Sequence, residues 1–167
     1  MKKTIVIDGL RNVKSFKEDK KREVFKINNI DPKFLKPHNQ TDIVAKLYSD
    51  IDFGCKKFVT REIQKKLNGY KQQDKEKKHI CETISYDEVL MKMLESKLIC
   101  AYCNKQSLLL YERVREPMQW TLDRIDNSTG HTNENTHICC LHCNLQRKTL
   151  IHEKFLFTKK MIITKEE

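Results

Sequence analysis

Two closely spaced cysteine pairs constrain the fold of this sequence more than any other feature. Cys100 and Cys103 form the first pair, and Cys140 and Cys143 form the second, with two residues between the thiols of each pair. This spacer lets both thiolates of a turn face one point, and two such pairs supply the four soft ligands of a tetrahedral zinc ion. The spacing therefore predicts a structural zinc site; the alternatives are redox pairs and ordinary buried thiols.

The remaining cysteines and the hydropathy indicate the cellular compartment of the protein. With four of the seven cysteines assigned to a metal, Cys55, Cys81 and Cys139 are left over. Such an odd set of thiols fits a reducing compartment better than a disulfide framework. No apolar run approaches the roughly 20 residues that cross a bilayer, and the segment 4–8, Thr-Ile-Val-Ile-Asp, is too short and too acidic at its end for a secretory signal. We therefore expect a soluble intracellular protein of the cytoplasm or nucleus, or one associated with a virion, and no membrane partner.

The charge of the chain indicates an anionic partner. Lys and Arg number 33 against 23 Asp and Glu, a net charge of +10, and residues 56–80 alone hold nine basic and three acidic residues. Phosphate backbones favour such surfaces through Coulomb attraction and counterion release. We therefore predict a nucleic-acid partner, DNA with RNA as the alternative, while the sequence identifies no protein partner. A solvated lysine-rich surface without a ligand is the competing interpretation.

Residues 1–80 are predicted to form a basic, mainly helical N-terminal region. At 167 residues the chain fits one domain, or a compact domain with an extension. Asn68-Gly69 is expected to end the last helix of this region, because this dipeptide favours a turn. The region is expected to comprise a short strand at 2–7, an arm over 11–39 that includes a strand at 25–30, helices at 41–49 (capped by Thr41) and 59–67, and a lysine-rich linker over 70–80.

Residues 81–167 are predicted to form a small α+β module. Ser85 and Glu88 have the spacing of a capping box, which predicts a leading helix over 85–98 that runs into Cys100. Strands are expected at 107–112, 120–125 and 135–139, a polar loop at 127–134, and a helix over 141–150. The predicted fold class is therefore α+β, with the zinc-stapled module preceded by the basic helical region.

A set of polar residues between the cysteine pairs carries a family resemblance. The segment that begins Leu122-Asp-Arg-Ile-Asp-Asn and ends in the second cysteine pair resembles the HNH, or ββα-metal, endonuclease module with its accessory zinc. The resemblance covers roughly residues 99–150. It rests on these elements in order: Asp123 with Arg124, Gly130 with His131, Asn135, and Cys140-x-x-Cys143-Asn144 followed by Lys148.

Phosphodiester hydrolysis needs a cation that neutralises developing charge and a base that takes a proton from the attacking water. Carboxylate and amide oxygens suit Mg²⁺ or Mn²⁺. The resemblance implies that Asp123 and Asn144 hold this single ion and that Asn135 braces the intervening loop by hydrogen bonds to its backbone. Capping or turn roles for Asp123 and Asn144 are the structural alternative.

The sequence departs from the family at the general base. Arg124 stands where the family has a histidine, and a guanidinium stays protonated and cannot accept a proton from water. Three interpretations remain: His131 acts as the base from the loop, metal-bound hydroxide suffices, or catalysis is lost and Arg124 grips phosphate. We expect His137 and His142 to be structural or surface residues.

Two main classes of function follow. In the first, the chain is a metal-dependent DNA endonuclease of phage, viral or mobile-element character, in which Arg147 and Lys148 join Arg124 in contacting phosphate. In the second, the same zinc-stapled scaffold is a catalytically inactive nucleic-acid-binding or assembly protein. A third interpretation, a zinc ribbon that recruits proteins, leaves the basic charge unexplained.

Overall fold

A computed structural model of the protein describes residues 30–161. The strand predicted at 2–7 and nearly all of the one at 25–30 lie outside these residues. After a short 3-10 turn at Pro32–Leu35, the described chain forms α1 (Pro37–Tyr48), α2 (Lys56–Glu76), α3 (Tyr86–Glu95), β1 (Trp120–Arg124), β2 (Thr136–Cys140), α4 (Leu141–Arg147) and α5 (His152–Lys160). The predicted α+β class is confirmed.

Helix α1 begins at Pro37 and not at the predicted cap Thr41. Proline is tolerated at the first helical position, because the N–H that it lacks would have no helical partner there. The fully buried Gln40 on this helix donates from its amide to the Leu110 carbonyl and accepts the Leu109 and Leu110 N–H groups. These bonds replace sheet pairing, so the strand predicted at 107–112 is an irregular segment with one isolated bridge, from Leu108 to Gln119.

Helix α2 continues through Asn68-Gly69 to Glu76, so most of the predicted linker at 70–80 is helical. The buried face of α2 explains why the helix does not end at Asn68-Gly69. Val59, Ile63 and Leu67 repeat at helical spacing, and Tyr70 and Asp74 prolong that face toward the sheet. Packing along five turns outweighs the roughly 1 kcal/mol by which a glycine disfavours a helix relative to alanine.

Helix α3 has the predicted capping box. The Glu88 N–H donates to Ser85 Oγ at 3.3 Å, and the Glu88 carboxylate accepts the Ser85 N–H at 2.8 Å. The helix ends at Glu95, earlier than the predicted residue 98, because Lys97 and Leu98 adopt φ values of 51° and 57°. This left-handed turn redirects the chain into the first cysteine pair.

The sheet consists of β1 and β2, which pair antiparallel with Trp120 opposite Cys140 and Asp123 opposite His137. Alternate residues of a strand point to opposite faces. Trp120 and Leu122 therefore face the main core, whereas Thr121 and Asp123 face the side chains of α4.

The main hydrophobic core contains residues from both predicted regions, among them Ile43 and Val59 from the first and Leu90 and Leu122 from the second. The two regions therefore pack on one core within the described part of the chain. A second, smaller cluster surrounds the cysteines and includes Phe155 of α5, a helix that was not predicted. Of the helices between residues 30 and 161, even the 21-residue α2 is too polar to cross a bilayer.

Candidate metal centre

The four paired cysteines converge on one point. The sulfurs of Cys100, Cys103, Cys140 and Cys143 all lie within 4.8 Å of one another, and the Sγ atoms of Cys103 and Cys140 are 3.9 Å apart. Three of these residues are buried and Cys103 is half-buried. The predicted cluster is confirmed as a group that can hold one metal ion such as zinc.

Local hydrogen bonds bring each pair into this position. The Cys100 N–H donates to the Lys105 carbonyl at 2.9 Å, which closes a tight turn around the first pair. Cys140 ends β2 and caps α4, where its sulfur accepts the Cys143 N–H at 3.4 Å. The second pair thus lies at a junction whose geometry is set by the sheet and by the first turn of a helix.

The electrostatics of this cluster fit a bound dication. A hydrogen bond from Cys140 lowers the pKa of the Cys100 thiol to about 4. Burial, followed by the charge of Cys100, raises the pKa of the Cys143 thiol to about 12. The protein alone therefore favours the thiolate at Cys100 and disfavours it at Cys143. A divalent cation relieves this repulsion because it compensates the charge of each thiolate that binds it.

Asp123 lies on the face of β1 that packs on α4, where it belongs to a cluster of polar side chains. Its carboxylate oxygens each lie 2.9 Å from Nη1 of Arg147, and the Tyr102 hydroxyl donates to Oδ2 at 2.6 Å. The residue is only 6% exposed. The carboxylate is thus held in a defined orientation and compensated by a buried guanidinium.

Arg147 connects α4 to the end of β1. Besides Asp123, its guanidinium donates to the carbonyls of Arg124 at 2.6 Å and Ile125 at 2.8 Å, and the residue is 1% exposed. The predicted phosphate contact would require an exposed guanidinium, whereas this one is directed inward. Lys148, the next residue, is exposed.

Asn144 is held against the same strand. Its Nδ2 donates to Thr121 Oγ1 at 3.1 Å and to the Leu122 carbonyl at 3.2 Å. Leu122 directly precedes Asp123, and Thr121 shares the face of Asp123. The structure therefore brings Asn144 and Asp123, two of the predicted site residues, to neighbouring positions on one side of β1.

Two histidines complete this cluster although neither was predicted to belong to it. Nε2 of His137 lies 3.8 Å from Asp123 Oδ2, and Nδ1 of His152 lies 3.1 Å from the Tyr102 hydroxyl. Burial, followed by the neighbouring His152, lowers the pKa of His137 to about 4. The strand register could have revealed His137, whereas His152 lies in the helix that the sequence pattern did not reveal.

Arg124 and Asn135 both serve the loop between the strands. Arg124 is 8% exposed, and its Nη1 donates to the Asn127 and Thr129 carbonyls at 3.4 and 3.1 Å. The Asn135 amide accepts the Asp126 N–H at 2.8 Å and donates to the Asp126 and Gly130 carbonyls, each at 2.9 Å. Both side chains thus satisfy backbone groups of the loop.

His131 is held by α2. Its ring Nδ1 lies 2.8 Å from Asp74 Oδ1, and its backbone N–H donates to Asp74 Oδ2 at 2.9 Å. Its ring centroid is 4.7 Å from that of Tyr70. The residue is 4% exposed, and burial lowers the pKa of its imidazole despite the nearby carboxylate. The structure therefore places this predicted base against α2, while Asp123 faces α4.

Among the described residues, the thiol cluster can bind a soft dication such as zinc. Asp123 and Asn144 both make their side-chain bonds on the side of β1 that faces α4. Comparisons of the chain with known protein families, with curated proteins and with solved structures found no match.

Proposed function

We propose that the chain is a metal-dependent endonuclease of the HNH type, stabilised by zinc, that hydrolyses phosphodiester bonds in DNA. The observation that supports it most is the docking of Asn144 on Thr121 and Leu122, the two residues of β1 that precede Asp123. These residues lie in a strand, loop, strand and helix unit joined to the first cysteine turn through the thiol cluster. A structural zinc site alone would require neither of these two side chains.

In this proposal Asp123 and Asn144 would hold a Mg²⁺ or Mn²⁺ ion, which would supply positive charge to neutralise the charge that develops on the phosphate and on the leaving 3′ oxygen. Tyr102 and Arg147 orient the Asp123 carboxylate through the bonds described above. The donor end of the Asn144 amide is directed to β1, so its oxygen is the end offered to a hard cation. In this proposal Asp123 and Asn144 would therefore hold the ion, while Tyr102 and Arg147 orient Asp123.

The proton acceptor needs a separate assignment. Arg124 cannot take this role because a guanidinium remains protonated, and His131 is buried against Asp74. His137 lies beside Asp123 across the sheet, and burial keeps its imidazole neutral near pH 7. The same burial lowers its pKa to about 4 and makes it a weak base, so this proposal assigns proton acceptance to none of these three residues.

One observation favours a second candidate function. The Asp123 carboxylate is already compensated by Arg147, with no metal required for its burial. In a non-catalytic protein this ion pair would be a structural cross-link between β1 and α4. The chain would then be a zinc-stapled nucleic-acid-binding or assembly protein.

A plasmid-nicking assay with Mg²⁺ or Mn²⁺ separates the two candidates. We expect the wild type to convert supercoiled plasmid to the nicked form, and Asn144→Ala and Asp123→Asn to slow this conversion by about 100-fold or more, since each removes a group that stabilises the transition state. Asn133→Ala, a matched change in the loop, should leave the rate unchanged. Zinc content and melting temperature identify variants that have merely unfolded.

Absence of nicking with every divalent ion tested would contradict the endonuclease and favour the binding protein. Nicking by Asp123→Asn at the wild-type rate would instead show that the proposed site is not where the reaction occurs.

A further inference from the structure

Helix α2 is fixed to the sheet and its loop along one side. Three side chains spaced four residues apart make these connections. Lys66 Nζ donates to the Trp120 carbonyl at 2.5 Å, the Tyr70 hydroxyl accepts the Leu122 N–H at 3.0 Å, and Asp74 accepts the His131 N–H at 2.9 Å. This side of α2 therefore follows β1 and continues to the polar loop, so the helix has a fixed position relative to Asp123.

The outward side of α2 is basic and exposed. At 3.6 residues per turn, Lys57, Arg61 and Lys75 project within about 40° of one another, and they span about 27 Å along the helix axis. All three are exposed, and none forms an ion pair with a described residue. Asn68 lies on the same arc, and Lys71 flanks it. We call this surface, made by Lys57, Arg61, Asn68, Lys71 and Lys75, the α2 basic face.

Two open clefts run along the α2 basic face and meet near its middle. The first is lined by Lys57 and Arg61, the second by Lys71 and Lys75, and both include Asn68. The two clefts share Gln64 and Asn68, and along α2 they are lined mainly by basic and amide side chains; Asp52 lines the first, and Asp74 and Glu82 line the second.

We propose that the α2 basic face binds the sugar–phosphate backbone of double-stranded DNA. This inference rests on the proposed function, for which it names the surface that holds the substrate. Charge complementarity supports it, because Lys and Arg that neutralise phosphates release condensed counterions. The span of about 27 Å approaches one turn of duplex, about 34 Å.

The chemistry of the face favours a duplex over a single strand. Proteins that bind single strands combine positive charge with aromatic side chains on which bases stack. The exposed arc of α2 that includes Lys57 and Lys75 presents Lys, Arg, Gln and Asn, and the aromatic rings nearest to it, Phe58 beneath Arg61 and Tyr86 in the second cleft, are only partly exposed. The proposed contacts of this face are to phosphates, which fix the position of a duplex and carry no sequence information directly.

The test measures DNA affinity against salt concentration. The variant Lys57→Gln/Arg61→Gln/Lys75→Gln removes three charges from the face, and Lys36→Gln/Lys46→Gln/Lys97→Gln removes three elsewhere. Fluorescence anisotropy with a 20-base-pair duplex, in Mg²⁺-free buffer and with zinc-loaded full-length chain, gives both affinity and slope.

For the first variant we expect binding at low salt to weaken at least tenfold and the log–log salt slope to become shallower by about 2 to 3, near 0.9 per lost phosphate contact. The control variant should retain a slope close to that of the wild type. Should the first variant melt at a lower temperature, the single changes Lys57→Gln and Lys75→Gln should each reduce the slope by about 1.

Three results would overturn the inference: equal slopes for the two triple variants, no binding of duplex by the wild type, or binding of a single strand of the same length as tightly as the duplex. The outcome is separable from that of the endonuclease. If duplex binding depends on the α2 basic face but no nicking occurs, the endonuclease proposal is wrong and the binding surface stands. If nicking occurs but the two triple variants have equal salt slopes, the endonuclease stands and the proposed binding surface is wrong.

Discussion

The ion pair between Asp123 and Arg147 is the residue-level interaction on which the geometry of the β1 face depends. Both partners are buried, and Arg147 also satisfies the carbonyls of Arg124 and Ile125. Loss of one member of a buried pair leaves an uncompensated charge, which costs far more than replacing both. The pair therefore couples the orientation of Asp123 to the position of α4.

We predict that Arg147→Gln lowers the free energy of unfolding by about 3 kcal/mol, because it leaves the Asp123 charge buried without its cation. Asp123→Asn combined with Arg147→Gln should cost clearly less than the two single changes added together. Urea denaturation of the four proteins measures this. Strictly additive losses would show that the two side chains are not coupled.

The lowered pKa of His137 predicts a pH dependence of stability. In the fold its pKa is about 4 because of burial and then the neighbouring His152, whereas an unfolded histidine has a pKa near 6.5. The unfolded chain therefore takes up the proton first, so the stabilisation by neutral His137 is full above pH 6.5 and is lost as the pH falls toward 4. Between pH 7 and 5 the wild type should lose about 2 kcal/mol more than His137→Gln. An equal loss of unfolding free energy in the two proteins would contradict the lowered pKa of His137.

At the residue scale the sequence predicted the convergence of the four paired cysteines but not the partners of the charged groups. The cysteine spacing is local and sufficient, as the convergence of the four sulfurs shows. By contrast, His131 meets Asp74 across 57 residues of chain, and only the packing of α2 on the loop brings them together. The inward direction of Arg147 likewise depends on a neighbouring strand and not on its own segment.

At the scale of elements, the helices with a continuous local signal were the most predictable. The capping box located the start of α3, and β1 and β2 lie directly before and after the predicted polar loop. Helix α2 was cut short because Asn68-Gly69 was interpreted as a stop, although the buried face continues beyond it. Helix α5 was not predicted because its apolar residues do not share one face, and only Phe155 is buried.

The two glycines Gly69 and Gly130 should respond oppositely to alanine. A Cβ at Gly69 would meet nothing within 4 Å, so Gly69→Ala should stabilise the protein by about 0.5–1 kcal/mol through higher helix propensity. A Cβ at Gly130 would lie 2.2 Å from Cys81 Sγ and 3.0 Å from Asp74 Cγ. Gly130→Ala should therefore destabilise by about 1–3 kcal/mol. Thermal melting measures both.

Adding Cys81→Ala to Gly130→Ala provides the control for this overpacking, since it removes the closest atom. Part of the lost stability should return in the double variant. If Gly130→Ala melts like the wild type, the close approach of the loop to α2 is not as described.

At the scale of the whole molecule, one hydrophobic core and one thiol cluster share the task of holding the module in place. The main core joins α1, α2 and α3 to one face of the sheet, while the thiol cluster fixes the β2–α4 junction to the chain after α3. The common core was not predictable from composition, because it depends on the packing of α2 across the sheet. The cluster was predictable, because four ligands at this spacing are specific.

Metal removal should therefore unfold part of the chain and not all of it. We predict that a strong chelator, or Cys103→Ser, releases the metal and destabilises residues 99–161 by several kcal/mol, since the binding energy of a structural metal contributes directly to folding. Hydrogen exchange should then show lost protection in β2 and α4 and smaller changes in α1. Matched Cys55→Ser, at a cysteine outside the cluster, should keep the metal.

Zinc K-edge X-ray absorption on the purified full-length chain, combined with elemental analysis, tests the central claim most directly. Four thiolates around one ion predict one zinc per chain with four sulfur neighbours at about 2.3 Å. A chain without bound metal, or a zinc ion ligated by nitrogen and oxygen, would contradict the thiol cluster as the element that holds this module together.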